Sequence, residues 1–253
     1  MGIGSTSGGI SGGSAAPAST RWVRKWHMDP QNDATAVDIA GGGTYTDDSG
    51  LEWSTGGGQV TGVSGSVAVD IVANTSLRFT TDNNTTNIVW ARAISDAVSD
   101  YTTYDRMLFV VEFTSAPTLP GTNDRAGAFW RNAADNYRHR ISNENIGGGN
   151  IYCQRRQNGS NSESNRLNNT EEVIAVEWQR SAGTFYYASA FPSSDPLTDD
   201  LTPCAISSFS LSPADSHPGA DGTDEFGLVV RRNGGSNFTI DIAHMALYRW
   251  EAE

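Results

Sequence analysis

From about Asp33 onward, short alternations of apolar and polar residues are interrupted by Gly, Asn, Asp and Ser clusters, which predicts strands joined by tight turns. In MLFVVEF (Met107–Phe113), Met107, Phe109, Val111 and Phe113 fall on one face and Leu108 and Val110 on the other. A strand apolar on both faces is expected in the middle of a sheet covered on both sides. VIAVEWQR (Val173–Arg180) and FYYASAF (Phe185–Phe191) flank a turn containing Gly183 and read as a hairpin. The segments 151–162 and 227–238 share a pattern of strand, paired arginines and Asn-Gly turn, and read as two hairpin ends. Only ARAISDAVSD (Ala91–Asp100) has the character of a short helix. The expected organisation is an extended Gly/Ser-rich arm over 1–20, a Trp/Arg junction over 21–32, and one β-sandwich over 33–253.

The arm carries no charged side chain, and eleven of its twenty residues are Gly or Ser. Extended, such a segment reaches about 65–70 Å, enough to cross a neighbouring subunit. Its backbone could add a strand to a partner's sheet edge, with Ile3 and Ile10 as its few apolar pegs. RWVRKWHMDP (Arg21–Pro30) reads as a first strand or a segment packing on the sandwich; in the sharper reading Trp22, Arg24 and Trp26 anchor the junction at an interface, where Trp and Arg are enriched.

Charge narrows the partners. The net charge is −12, whereas residues 1–28 hold Arg21, Arg24 and Lys25 and no acid. Neither nucleic acid nor an anionic membrane is expected as the main partner, because phosphate contacts need clustered cations. Lysine occurs once against sixteen arginines. The start lacks the cationic and apolar regions of a secretory leader, and no run approaches the ~18–20 apolar residues of a membrane span. Cys153 and Cys204 are accordingly expected as free thiols, and six Asn-x-Ser/Thr triplets as polar turns.

The end of the chain, FTIDIAHMALYRW (Phe238–Trp250), resembles the closing strand of concanavalin A-like (laminin G-like) jelly rolls. Phe238, Ile242, Met245, Leu247 and Tyr248 stand at the matching apolar positions, while Ile240 and Ala243 replace the usual Gly and Asp. The apolar phase shifts by three between Ile242 and Met245, which requires a bulge or burial on both faces. The resemblance implies an all-β antiparallel sandwich, a fold that hosts lectins, glucanases and purely structural modules.

Glucanases of this fold carry Glu-x-Asp-x-x-Glu or a close variant along one strand, and no Glu here is followed two residues later by Asp. Glu112 and Glu177 read as lone strand acids, facing solvent or paired with arginine. His139 sits between Arg138 and Arg140 in a basic strand expected to be solvated or interfacial, and His244 at the bulge reads as a satisfied core or edge histidine. The acidic loop 213–226 offers Asp215, Asp221, Asp224 and Glu225 as candidate calcium ligands; no other cofactor is expected. Trp130, Tyr137 and Tyr101 are candidates for a sugar-stacking platform.

The resulting expectation is a non-enzymatic virion structural protein, a bacteriophage capsid decoration or tail/fibre component. It would be held by its arm to other virion proteins and to copies of itself, as a trimer on general grounds. The alternative is a carbohydrate-binding module that adheres to a host surface glycan. A third reading is a glycan-cleaving enzyme of the same fold.

Overall fold

The computed structural model describes residues 20–54, 60–61, 67–83, 88–132, 138–147, 151–157, 166–167, 172–179, 184–188 and 224–252. In chain order the first strands are β1 (Thr20–Met28), β2 (Val37–Asp38), β3 (Thr44–Thr46), β4 (Glu52–Ser54), β5 (Val60–Thr61) and β6 (Val67–Val72). Next come β7 (Ser76–Thr81), β8 (Ile88–Ala93), β9 (Arg106–Phe113), β10 (Arg125–Asn132), β11 (Arg138–Asn145) and β12 (Ile151–Gln157). The last are β13 (Arg166–Leu167), β14 (Val173–Gln179), β15 (Thr184–Ala188), β16 (Asp224–Arg231) and β17 (Thr239–Ala252). The helix expected within 91–100 is one turn, Ile94–Ala97, because Ala91–Ala93 finish β8.

Two antiparallel sheets dominate. The first runs β15-β14-β9-β17-β7-β6-β2, with β1 pairing the second half of β17; the second runs β13-β12-β11-β10-β16-β8-β5. A small β3–β4 ribbon lies apart from both. The fold is thus the all-β antiparallel sandwich expected. β9 is central, between β14 and β17, and its residues of both phases from Met107 to Val111 are fully buried. β14 and β15 pair as the expected hairpin. The β6–β7 turn is closed by a bond from Thr75 N–H to the Val72 carbonyl at 2.9 Å, with Asn74 at φ +52°, a left-handed conformation that Asn tolerates.

Two bulges set which side chains enter the core. In β17 the register slips between Ile242 and His244, so Ile240 and Ile242 share the inner face with Met245 and Leu247, as the phase shift foretold. In β1 a slip between Arg24 and Trp26 turns Trp22 outward and Trp26 and Met28 inward. Without the bulge, residues four apart would share a face.

The inter-sheet core is a chain of rings. Trp53 of β4 stacks on Trp90 of β8 at 3.9 Å and 21°, Trp26 meets Phe226 edge-on at 5.1 Å, and Phe226 meets Phe109 at 5.0 Å. Each ring buries roughly 150–250 Å², and offset and edge-on pairs add about 0.5–1.5 kcal/mol. One carboxylate ties this cluster together: Asp47 Oδ2 accepts the indole N–H of Trp26 at 2.7 Å and of Trp53 at 2.8 Å. Its Oδ1 accepts the backbone N–H groups of Ser49 and Leu51. The β3–β4 ribbon is pinned to the sandwich by this acid.

The Trp/Arg junction is therefore not separate from the sandwich. Trp22 and Trp26 are buried within this chain, Trp22 against Leu108, Val110 and Tyr248 and Trp26 in the inter-sheet core. They leave no indole surface for the interface role expected of them. Arg24 is half-buried, opposite Tyr248 on β17. Ile3 and Ile10 lie outside the described residues, as do residues 1–19 as a whole. Among the described residues no helix is long and apolar enough to cross a membrane.

Candidate functional site

The outer face of the second sheet follows from its register. Trp130, Phe226 and Leu228 point into the inter-sheet core, so alternation puts Phe129 of β10 and Val229 of β16 on the outer side. They meet Val89 and Ala91 of β8 in a separate buried apolar cluster. Gly227 lies in the same patch, where a Cβ would stand 2.0 Å from the Trp90 carbonyl oxygen; only glycine lets β16 lie this close to β8.

Basic positions surround this patch. Arg125 and Arg131 of β10 have the parity of Phe129, and their cross-strand partners include Arg231 of β16 and Arg138 of β11. Phe129 itself stands opposite Arg140, which stands opposite Arg156 of β12; Arg166 of β13 is opposite Gln154. Directly opposed residues share a face. Seven of the sixteen arginines thus occupy outer-face positions of one sheet, with Glu144 and Glu225 as the acids among their registered partners. Arg125 and Glu144 form a buried ion pair at 3.3 Å. Arg140, Arg231 and Glu225 are half-buried, and Arg231 Nη2 donates to Asn233 Oδ1 at 3.0 Å.

The two glutamates do not make a hydrolytic pair. Glu144 is in the row of Arg125 and Arg231, while Glu225 lies six residues from Arg231 along β16. At about 3.4 Å per residue this separation is roughly 20 Å. Hydrolytic carboxylate pairs stand about 5–9.5 Å apart.

The first sheet's outer face holds a different arrangement. The Arg106 guanidinium lies 5.1 Å from the Trp22 ring and 4.5 Å from the Trp250 ring, and its Nε donates to Glu177 Oε1 at 2.6 Å. Glu177 is buried, and its pairing with arginine is one of the two outcomes expected of it. His244 is fully buried, and neither ring nitrogen makes a hydrogen bond of normal geometry. Burial holds its imidazole down to about 3, helped by the positive surroundings of His27 and Arg24; the Met28 backbone opposes this only weakly. A satisfied histidine was expected there, and the bulge that aims it outward on the sheet leaves it unsatisfied. Further along, Asp38, Asp70, Arg78 and Asp241 form one cross-strand row. Arg78 pairs with Asp241 at 2.8 and 3.1 Å, and desolvation, then Asp38, raises the Asp70 carboxyl above its usual range.

The expected ligand residues are placed elsewhere. Trp130 is buried, its Nε1 donating to the Val176 carbonyl at 3.0 Å, and Tyr101 is buried with its hydroxyl 3.2 Å from Asp224 Oδ2. Neither offers a ring face to a sugar, and Tyr137 lies outside the described residues. The calcium reading meets a similar difficulty. Asp224 is turned to Tyr101 in the interior while adjacent Glu225 takes the opposite face, and Asp215 and Asp221 lie outside the described residues. Among the described residues no three His, Cys, Asp or Glu side chains could hold a metal ion. Cys204 and the Cys153 side chain also lie outside that description.

No family model matches the sequence. No curated protein matches it either. Among solved structures, the chain is similar to a β-1,3-glucanase from Mycobacterium marinum, with 11% identity over 88% of this chain and 98% of that one and a TM-score of 0.42. A pseudo-β-1,3-glucanase and immunostimulatory antigen of Mycobacterium tuberculosis aligns with 11% identity over 89% and 98%, at a TM-score of 0.41. A putative β-glucanase from Mycobacterium abscessus aligns with 8% identity over 72% and 78%, at 0.37.

The virion expectation is corrected on these findings. The three solved structures named above carry glucanase, putative glucanase or pseudo-glucanase names. The junction tryptophans that were to hold a neighbouring subunit are spent inside this chain. The arginine face escaped the sequence reading. Its trace was the i, i+2 spacing of Arg138 and Arg140, but the face forms only when five strands come into register.

Proposed function

We propose that this chain is a carbohydrate-binding β-sandwich that takes its glycan along the outer face of the second sheet and does not cleave it. The observation that carries this reading is the set of polar register positions that β10, β11, β12 and β16 place on one sheet face, with Arg140 and Arg231 half-buried beside the buried cluster of Phe129 and Val229. Guanidinium groups are multiple fixed donors, suited to sugar hydroxyl and carboxylate oxygens. The roughly 20 Å between Glu144 and Glu225 leaves these two unable to act as acid and nucleophile on one bond. Affinity electrophoresis through gels containing neutral and acidic polysaccharides tests the binding. Retardation by at least one polysaccharide is expected, and unchanged mobility in all of them overturns the reading. Release of new reducing ends from a bound polysaccharide would overturn the non-cleaving part alone.

A further inference from the structure

We infer that the groove at the β2 edge of the first sheet binds a primary ammonium group carried on an apolar or sugar carbon skeleton. The site lies on the other sheet from the proposed glycan face and does not depend on that reading. The groove opens to solvent and has a volume of about 540 Å³, within the ~300–1,000 Å³ of small-ligand sites. Ala36, Val72 and Ala73 supply apolar lining, and Asp38, Asp70 and Arg78 bring charge into it. Ala36 and Asp38 are exposed and the other four are half-buried, so a ligand can reach each of them.

Register sets two carboxylates side by side. Asp38 stands directly opposite Asp70, and Asp70 opposite Arg78. The Cβ atoms of directly opposed residues lie about 4.5–5.5 Å apart, and like charges there repel. The neighbouring guanidinium is committed to the far side: its Nε and Nη2 donate to Asp241 at 2.8 and 3.1 Å. The Ser76 hydroxyl donates to the same carboxylate at 2.7 Å. Three carboxylates thus meet one guanidinium along the row, an excess of two negative charges. Desolvation, then the charge of Asp38, pushes the Asp70 carboxyl up, with Arg78 opposing. An ammonium has three donors and can bond both carboxylates at once, through charge-assisted bonds of about 2.7–2.9 Å. Its carbon skeleton then lies on Ala36, Val72 and Ala73. A metal ion fits less well. Calcium takes about six to eight oxygen ligands, and among the described residues no three His, Cys, Asp or Glu side chains could hold a metal ion.

Amide chemical shifts of the isotope-labelled full chain test the inference at constant ionic strength. The probes are glucosamine, cadaverine, and their neutral counterparts glucose and pentanediol. Asp38, Asp70, Val72 and Arg78 are expected to shift with at least one amine, saturating by about 10 mM, and with neither neutral compound. A response to glucosamine alone identifies an amino sugar as the source, one to cadaverine alone an aliphatic amine, and one to both the ammonium group they share. Asp38→Asn and Asp70→Asn should each weaken the amine about fivefold or more. Glu52→Gln, on the β3–β4 ribbon, should leave its affinity unchanged. Should the Asn variants fail to fold, the pH dependence of the unaltered chain decides. Affinity should fall as the pH is lowered from about 7 toward the ordinary carboxylate range near about 4, and a pH-independent affinity overturns the inference. Equal shifts with the neutral compounds, no shift with either amine, or tighter binding of calcium chloride than of either amine also overturns it.

Discussion

Replacing Asp47 with alanine removes the acceptor shared by Trp26 and Trp53, and its cost can be worked from the geometry. Two indole N–H donors, at 2.7 and 2.8 Å from Oδ2, would be stranded on side chains 1% exposed. A buried donor left without a partner costs about 1–3 kcal/mol, so the pair costs roughly 2–6 kcal/mol. The N–H groups of Ser49 and Leu51 lie in a part-buried turn that water can reach, and they add little. For a domain of this size each kcal/mol lowers Tm by about 2–4 °C, which puts the expected drop near 10 °C. Asp47→Asn keeps one carbonyl oxygen and should cost about half as much. Urea unfolding followed by tryptophan fluorescence measures both. The Trp53→Phe change, which deletes one stranded donor, should cost less in the Asp47→Ala background than alone. A loss under about 1 kcal/mol for Asp47→Ala, or strict additivity with Trp53→Phe, refutes the shared-acceptor role.

Other expectations follow from the outer face of the first sheet. His244 is held down to about 3 against its ordinary 6.5, so the folded chain binds fewer protons than the unfolded chain between these values. Its contribution is intact above pH ~6.5 and is lost as the pH falls, by up to ~4–5 kcal/mol near pH 3. His244→Leu should flatten the difference in stability between pH 7 and pH 4 measured in urea; an unchanged slope contradicts this. Arg106→Ala would strip the buried Glu177 of its 2.6 Å partner and remove the guanidinium that lies over the Trp22 and Trp250 rings. The expected loss is about 2–4 kcal/mol, with Arg106→Lys intermediate because it forfeits the planar stacking. Equal stability of all three proteins contradicts that clamp.

The sequence revealed most where a single strand's pattern decides the outcome. β9 reads as central because both its faces are apolar, and the β17 bulge shows as a phase shift between two apolar pairs. β1 shows no such sign: RWVRKWHM spaces its tryptophans four apart, and only pairing with β17 reveals the slip that separates their faces. In RAGAFWRN, Phe129 and Trp130 are adjacent apolar residues flanked by small ones, so alternation leaves open which of them is inside. Register with β16 settles it, putting Trp130 opposite Phe226 in the core and Phe129 opposite Gly227. The arginine face is wholly a product of register, assembled from strands as distant in sequence as Arg125 and Arg231.

Arginine-specific labelling with phenylglyoxal, read by mass spectrometry with and without a polysaccharide that retards the chain in affinity gels, tests the binding face most directly. The account predicts that bound polysaccharide protects Arg140 and Arg231 while Arg24 and Arg78, on the first sheet, keep their reactivity. Protection confined to Arg24 and Arg78, or equal labelling of all four with and without the polysaccharide, would contradict it.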